Sequence, residues 1–120
     1  MYRICVSTSF NAMHAVTIQG VDETPHSHDW KVSVTLTGPE LDNDGLLMDF
    51  VEVEQILERI VAPLRNSDLN KSEAFKKTNP SAERIAHYIG EAMRLETPSP
   101  IQVQSISITE APNCKVIYTL

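Results

Sequence analysis

Three histidines are the residues of this chain whose type and spacing best suit a reactive centre. His26 and His28 lie one residue apart, and the alternation that continues from them to Leu36 indicates an extended strand. Because side chains alternate faces along a strand, both imidazoles should point to the same side as Trp30. His14 ends an earlier extended run and could meet them across a hairpin or sheet. Three neutral imidazoles with no fourth protein ligand would hold a zinc ion with one position open to a substrate.

Spacing alone does not distinguish a metal centre from ordinary histidines. A His-x-His pair in a strand often arises by chance, and a single histidine such as His14 is more commonly a surface residue or a hydrogen-bonded core residue. Both interpretations stay open on the spacing, so the elements that would position the histidines have to be considered.

Composition indicates one compact domain that covers residues 1–120. The hydrophobic content of 42% is ordinary, and a core of this size leaves room for oligomerisation to add stability. The net charge of −6 and the lack of any basic run beyond Lys76-Lys77 argue against a nucleic-acid partner, whereas an anionic small molecule is not excluded. No apolar run approaches a membrane span and the N-terminus lacks a charged-then-apolar signal, so we expect a cytoplasmic protein without a membrane partner.

The two cysteines, Cys5 and Cys114, fall in separate predicted strands. Two cysteines do not make a disulfide framework, so we expect both to be reduced, buried thiols. If the first strand is unbroken, Cys5 lies on the opposite face from His14 and points away from a metal site.

Two strands in the first third of the chain should carry the histidines. Residues 2–11 alternate apolar and polar side chains, and residues 27–38 do so more regularly, with Trp30 and Val32 on the apolar face. Such alternation is typical of an antiparallel strand with one covered face. Residues 16–24, between the strands, are predicted to be a loop.

Two amphipathic helices should follow the strands. Asp49 is a suitable N-cap for a helix over residues 50–62, where apolar side chains recur at helical spacing. Asn79 as the cap and Pro80 as the first helical residue predict a second helix that ends at about Leu95.

A C-terminal hairpin should complete the fold, after a loop over residues 65–77. Strands are predicted over residues 101–109 and 114–120, and Glu110 follows the first of them on the same face as Ile108. The order β-β-α-α-β-β predicts an α+β fold, with a four-stranded antiparallel sheet and two helices on one of its faces.

Six short motifs follow one another along nearly the whole chain at consistent spacings. They are Phe10-x-Ala12-Met13-His14, His26-x-His28, Gly45-x-x-x-Asp49-Phe50, Asp68-Leu69-Asn70, Asn79-Pro80-Ser81-x-Glu83 and Thr109-Glu110. Each alone is weak, but together they resemble the 6-pyruvoyltetrahydropterin synthase and 6-carboxytetrahydropterin synthase family.

The resemblance implies a tunnelling fold, in which the sheets of three subunits close into a barrel and two such trimers stack as a hexamer. It implies active sites at the subunit interfaces and a small-molecule pterin substrate. It also implies Zn2+ as the cofactor, held by His14, His26 and His28.

By the same resemblance, Glu110 anchors the pterin ring, with Thr109 and Ser81 as further substrate-binding residues. A carboxylate can accept two parallel hydrogen bonds from the N–H groups of a pterin's pyrimidine edge. Glu110 could instead be a surface carboxylate at a strand end, but Ile106 and Ile108 on its face favour partial burial.

Several positions depart from the family pattern. A cysteine usually stands four residues ahead of the histidine pair, where this chain has Asp22, and the middle residue of the pair is Ser27 in place of glycine. An Asp-His proton relay usually precedes the Leu-Asn motif, where this chain has Arg65 and Asn66. Arg65 would either contact substrate phosphates or be a surface arginine.

One branch of the family uses a glutamate three residues ahead of the histidine pair, and Glu23 occupies that position. In that branch the side chain of 7,8-dihydroneopterin triphosphate is cleaved to give 6-hydroxymethyl-7,8-dihydropterin. The resemblance therefore assigns Glu23 as the catalytic acid and base. The alternative is that Asp22 and Glu23 form a solvated acidic loop.

Three functions remain to be separated. The first is a zinc-dependent lyase that acts on 7,8-dihydroneopterin triphosphate or a related dihydropterin, in queuosine, folate or biopterin synthesis. The second is a degenerate family member that binds zinc and a pterin or purine-like ligand without the family reaction. The third is an interaction protein in which the histidines are incidental.

Overall fold

A mainly antiparallel sheet with two helices on one face makes up the fold, which a computed structural model describes over residues 1–120. The strand order is β5-β1-β4-β6-β7, and only the two-residue β5 pairs in parallel. The predicted α+β architecture is confirmed. In chain order the elements are β1 (Tyr2–His14), β2 (Thr17–Ile18), β3 (Val21–Asp22), β4 (His26–Gly38), α1 (Phe50–Val61), β5 (Ser67–Asp68), α2 (Ala82–Glu96), β6 (Gln102–Ala111) and β7 (Cys114–Thr119).

The long hairpin of β1 and β4 is the frame of the molecule. Its register runs without a break from Tyr2↔Gly38 to His14↔His26. The alternation read from the sequence is confirmed, and both strands extend further than predicted, so that His14 and His26 become terminal residues of their strands. Between them, the predicted loop forms a small hairpin of β2 and β3.

The core lies between the covered face of the sheet and the two helices. Each fully buried aliphatic or aromatic side chain contributes about 1.5–3 kcal/mol relative to an exposed one. Gly90 lets α2 approach β7 closely, since a Cβ there would lie 2.9 Å from the ring of Tyr118. The helical side chains buried in the core are Val53, Ile56, Leu57, Val61, Ala82, Ile85, Ala86, Ile89 and Met93.

The first helix starts as predicted and the second does not. The Asp49 side chain accepts a hydrogen bond from the backbone N–H of Val51 and caps α1. The cap of α2 is Ser81, whose hydroxyl accepts from the N–H of Arg84, so the assignment of Asn79 as the cap was wrong. The Asn79 side chain is instead hydrogen-bonded to the backbone of Thr17.

Two further expectations need correction. Residues 65–77 are not a plain loop, because two short 3₁₀ turns there bury Leu69 and Phe75. Cys5 and Cys114 are free thiols as expected, but both are exposed. Cys5 belongs to the uncovered face of the sheet, opposite the histidines. Neither helix is both long and apolar enough to cross a membrane.

Candidate metal centre

The register of the β1–β4 hairpin brings the three histidines together. His14 pairs directly with His26, and His28 lies opposite Ala12, so all three imidazoles emerge on the covered face at one end of the sheet. The Nε2 atoms of His14 and His26 are 3.1 Å apart. The ring of His28 lies 4.7 Å from that of His26 and 5.3 Å from that of His14, measured between centroids.

Trp30 forms the apolar wall beside these rings. It is fully buried, and its ring meets those of His14 and His28 edge-on at centroid distances of 4.8 and 5.3 Å. Its indole N–H donates to the carbonyl of Ala12, which fixes the ring. Burial lowers the pKa of His28, although the carboxylate of Glu110 opposes this shift. The lowered pKa favours the neutral imidazole, which is the form that binds metals.

Backbone carbonyls select which ring nitrogen of two histidines faces the centre. Nδ1 of His14 donates to the carbonyl of Pro80 at 2.8 Å, and Nδ1 of His26 donates to that of Thr24 at 2.8 Å. Because a carbonyl can only accept, the proton of each neutral ring is on Nδ1 and Nε2 is a bare acceptor. Metal-binding histidines are commonly oriented in this way.

The donor set fits a zinc ion. Two bare Nε2 atoms 3.1 Å apart cannot hydrogen-bond to each other, so their contact needs a cation or an added proton between them. Ligand atoms around a tetrahedral zinc ion lie roughly 3.3 Å from one another, given zinc–nitrogen bonds of about 2.0–2.1 Å. The observed separation of the two nitrogens is close to that value.

Glu110 joins the three histidines, which the sequence analysis did not anticipate. Its Oε1 lies 3.0 Å from Nε2 of His14 and 3.6 Å from Nε2 of His28, and one ligand atom from each of the four residues falls within 4.8 Å of the others. The sequence predicted three imidazoles with no fourth protein ligand, and the structure places the Glu110 carboxylate beside all three rings. A β-bulge at Glu110, where the β6–β7 register passes from Thr109↔Lys115 to Ala111↔Cys114, accompanies this placement.

Two asparagines clamp the chain that follows His14. Asn70 accepts from the N–H of Ala15 at 2.8 Å and donates to its carbonyl at 2.7 Å. Asn79 makes the same pair of bonds to Thr17, both at 2.8 Å. The two side-chain amides thus act like a neighbouring strand. The sequence offered only their motifs, Leu-Asn and Asn-Pro, as a signal.

Glu23 lies on the hairpin between the histidine strands. Its Oε1 accepts from the N–H of Val16 at 2.9 Å, and its own N–H donates to the Val16 carbonyl. With Asp22, Asp68 and Asn70 it lines an acidic cleft of about 410 Å³. The half-buried Glu23 carboxylate also acts electrostatically on His28.

Two of the predicted substrate-binding residues are not among the clustered groups. Thr109 pairs with Lys31 and Lys115 in neighbouring strands, and by alternation its side chain lies on the opposite face of the sheet from Glu110. Ser81 is occupied as the cap of α2, next to the carbonyl of Pro80 that orients His14.

Arg65 and Asn66, which replace the family's proton relay, form a structural corner. Arg65 makes two hydrogen bonds to Glu58, at 3.0 and 2.7 Å, and one to the carbonyl of Ser9 at 2.6 Å. This bonding holds the pKa of Glu58 below its usual value. Asn66 adopts a left-handed backbone conformation, and its N–H donates to the carbonyl of Asn11.

Comparisons with known proteins agree on one family. A family model described as 6-pyruvoyl tetrahydropterin synthase matches residues 3–120. A dihydroneopterin monophosphate aldolase of Pyrococcus furiosus is 32% identical over 108 residues, which cover 90% of this chain and 89% of that protein.

Solved structures resemble the whole fold. The 6-pyruvoyl tetrahydropterin synthase of Caenorhabditis elegans matches with a TM-score of 0.86 at 21% identity, covering 99% of this chain and 95% of that chain. A Plasmodium vivax 6-pyruvoyltetrahydropterin synthase, solved with alanine in place of a catalytic glutamate, matches with a TM-score of 0.77 at 18% identity, covering 99% and 98%.

Proposed function

The chain belongs to the 6-pyruvoyl tetrahydropterin synthase family, and from this premise we propose that it is a zinc-dependent lyase that cleaves the side chain of a phosphorylated 7,8-dihydroneopterin. The products would be 6-hydroxymethyl-7,8-dihydropterin and a phosphorylated two-carbon aldehyde. The observation that carries the proposal is the convergence of His14, His26, His28 and Glu110 on one point.

Zinc bound to the three imidazoles would supply a Lewis acid that makes a substrate hydroxyl easier to deprotonate. The chain's own contribution is orientation. The carbonyls of Pro80 and Thr24 hold the rings of His14 and His26 with Nε2 toward the centre. Trp30 excludes water from one side of the cluster.

Glu23 would move the proton. In the cleavage, the 2′-hydroxyl gives its proton to Glu23, the bond between C1′ and C2′ breaks, and C2′ becomes the aldehyde. The electron pair of that bond passes to C1′, where conjugation with the ring C6=N5 bond stabilises it, and Glu23 then returns the proton to C1′. The bond from the Val16 N–H occupies Oε1, so this role falls to Oε2.

The replaced relay supports side-chain cleavage in preference to formation of a 6-pyruvoyl side chain. Forming a 6-pyruvoyl side chain requires loss of triphosphate and several proton transfers, whereas the cleavage takes one proton and returns one. One carboxylate is enough for the cleavage. Arg65, at the relay position, is engaged by Glu58 and Ser9 and offers no base.

Glu110 would hold the pterin ring through paired hydrogen bonds from the pyrimidine edge. Its side chain is 31% exposed, so a ligand can reach it. Thr109 and Ser81 stay assigned to substrate binding by the resemblance alone, and a partner subunit would be needed to bring Thr109 to a site.

Assembly into a trimer or hexamer forms part of the proposal. Strand β7 has a neighbour on one side only, and on its outer side β1 pairs with the two-residue β5 through Ala12 and Met13 alone. Free strand edges pair readily with another copy. Light scattering on the purified protein should give three or six times the monomer mass, and a monomer at micromolar concentration would contradict the proposal.

The test of function is a product assay. The zinc-loaded protein is incubated with 7,8-dihydroneopterin monophosphate and, separately, with the triphosphate, and the products are followed by mass. We expect 6-hydroxymethyl-7,8-dihydropterin from one or both. Glu23→Gln should slow its formation by about 10²–10⁴-fold.

The matched control is Glu73→Gln, which makes the same change at a side chain that is 91% exposed and pairs only weakly with Lys76. It should leave the rate unchanged. A product that keeps all three side-chain carbons would favour the 6-pyruvoyl synthase reaction. Tight binding of the pterin with no product would favour the second function, that of a ligand-binding protein.

A further inference from the structure

The Glu110 carboxylate has two candidate roles, binding the pterin ring and contacting the histidine cluster. The paired hydrogen bonds of a pterin ring require both oxygens of one carboxylate. In the structure, Oε1 is already placed against Nε2 of His14 and Nε2 of His28. One carboxylate cannot complete both arrangements at the same time.

The contact between Glu110 and His14 is not an ordinary hydrogen bond of a neutral histidine. The ring proton of His14 is committed to the carbonyl of Pro80, so Nε2 has none to donate. A carboxylate oxygen and a bare nitrogen 3.0 Å apart repel each other unless a metal ion or an added proton lies between them. Two ligands of one metal ion satisfy that condition.

We propose that Glu110 alternates between two positions: it is the fourth ligand of the zinc ion in the pterin-free protein, and the pterin ring draws it away from the metal. The inference rests on the zinc centre and the pterin anchor proposed above. It adds that the two are mutually exclusive, so that binding of the ring would leave one coordination position free for a substrate hydroxyl.

The surroundings of Glu110 suit a ligand that leaves. Its side chain is 31% exposed, whereas that of His14 is 2% exposed and that of His28 is 23% exposed. Glu110 lies at the bulge of β6 and one residue beyond Thr109, the last residue of β6 that pairs with β4. His14 and His26, in contrast, are paired with each other and fixed by carbonyls.

With this alternation, access of a substrate to the metal would depend on binding of the pterin ring. Zinc with four protein ligands is typical of unreactive structural sites, and zinc with three is typical of catalytic sites. Other hydroxyl-bearing molecules that lack a pterin edge would encounter zinc with all four positions occupied by protein ligands. By linkage, the ring must weaken zinc binding by the same factor by which zinc weakens binding of the ring.

The experiment uses unsubstituted pterin, which has the ring edge but no hydroxyl to bind the metal. The zinc dissociation constant of the full chain is measured by chelator competition without and with saturating pterin. We expect pterin to weaken zinc binding by about 5- to 150-fold. In the cobalt-substituted protein, pterin should change the visible absorption spectrum, since the ligand set changes.

Two variants complete the design. Glu110→Gln should bind zinc more weakly than the wild type, and its zinc affinity should not respond to pterin. Glu73→Gln should respond as the wild type does. If Glu110→Gln fails to fold, the wild-type titrations decide alone.

Zinc affinity that is unchanged or strengthened by pterin would overturn the alternation, as would wild-type zinc affinity in Glu110→Gln or absence of pterin binding. Turnover without antagonism would reject the alternation and leave the lyase standing. Antagonism without turnover would reject the lyase and leave the alternation standing. A protein that binds no stoichiometric zinc would reject both.

Discussion

Two regions of the molecule match positions that carry catalytic residues in the family pattern: the histidine cluster and the corner of Arg65 and Glu58. They differ in how their polar side chains are satisfied. At the histidine cluster, acceptor atoms of His14, His26 and Glu110 converge with no protein donor between them. At the corner of Arg65 and Glu58, every close contact joins a donor to an acceptor, and the charges balance. The first arrangement is incomplete without a cation, whereas the second is complete as it stands.

The difference indicates which part of the pattern this chain retains for chemistry. Groups that would be costly to hold together without a ligand mark a functional site. A satisfied ion pair at a partly exposed corner needs no ligand and links α1 to β1. We infer that the histidine cluster has a ligand-binding role and that the corner of Arg65 and Glu58 has a structural one.

Removing a candidate metal ligand should have the largest effect on zinc content and turnover. We expect His14→Ala to lose stoichiometric zinc and all detectable turnover, because the most buried ligand of the cluster is gone. The carbonyl of Pro80 would also lose its partner, at a cost to stability of about 1–3 kcal/mol. Metal analysis and thermal unfolding of the metal-free protein measure the two effects. His87→Ala, at an exposed histidine on α2, is the control and should retain zinc.

Releasing the clamp behind His14 should have the next largest effect. Asn79→Ala removes both hydrogen bonds to Thr17, so the segment that follows His14 loosens. We expect zinc affinity to fall by about 10–100-fold, as for other groups that orient metal ligands. The control is Asn43→Ala in an exposed turn. Unchanged zinc affinity in Asn79→Ala would show that the clamp does not position the site.

Breaking the corner should have a small effect of a different kind. Arg65→Ala removes a partly exposed ion pair, for which the expected loss of stability is up to about 1 kcal/mol. Zinc affinity should not change, because no contact of Arg65 reaches a metal ligand. A marked loss of zinc affinity in this variant would mean that the two regions are coupled, contrary to the comparison.

The smallest expected effect is on the pH dependence of stability. Arg65 lowers the pKa of Glu58 in the folded state, so the ion pair stabilises the protein above the usual pKa of glutamate, about 4.5. That contribution should disappear as the pH falls through the lowered value. The melting temperatures of the wild type and Arg65→Ala should therefore differ most near neutral pH and converge in acid. A difference that grows in acid would contradict this assignment.

Much of the fold could be predicted because its signals are local. The alternation of residues 27–38 and the helical spacing after Asp49 depend only on near neighbours along the chain, and both are confirmed. The cap of α2 was assigned wrongly because Asn79 and Ser81 are both good caps. A contact with Thr17, distant in sequence, decides between them.

The sequence alone determined the residue types of the candidate ligands, their alternation on one face and the family motifs, since these follow from residue identity and from the two-residue repeat of a strand. Only the tertiary structure decided that Glu110 reaches His14 and that Arg65 forms an ion pair with Glu58. Both outcomes depend on a strand register, a bulge and helix packing that join residues far apart in the chain. No local pattern encodes such contacts, because their energies appear only when the distant segments meet.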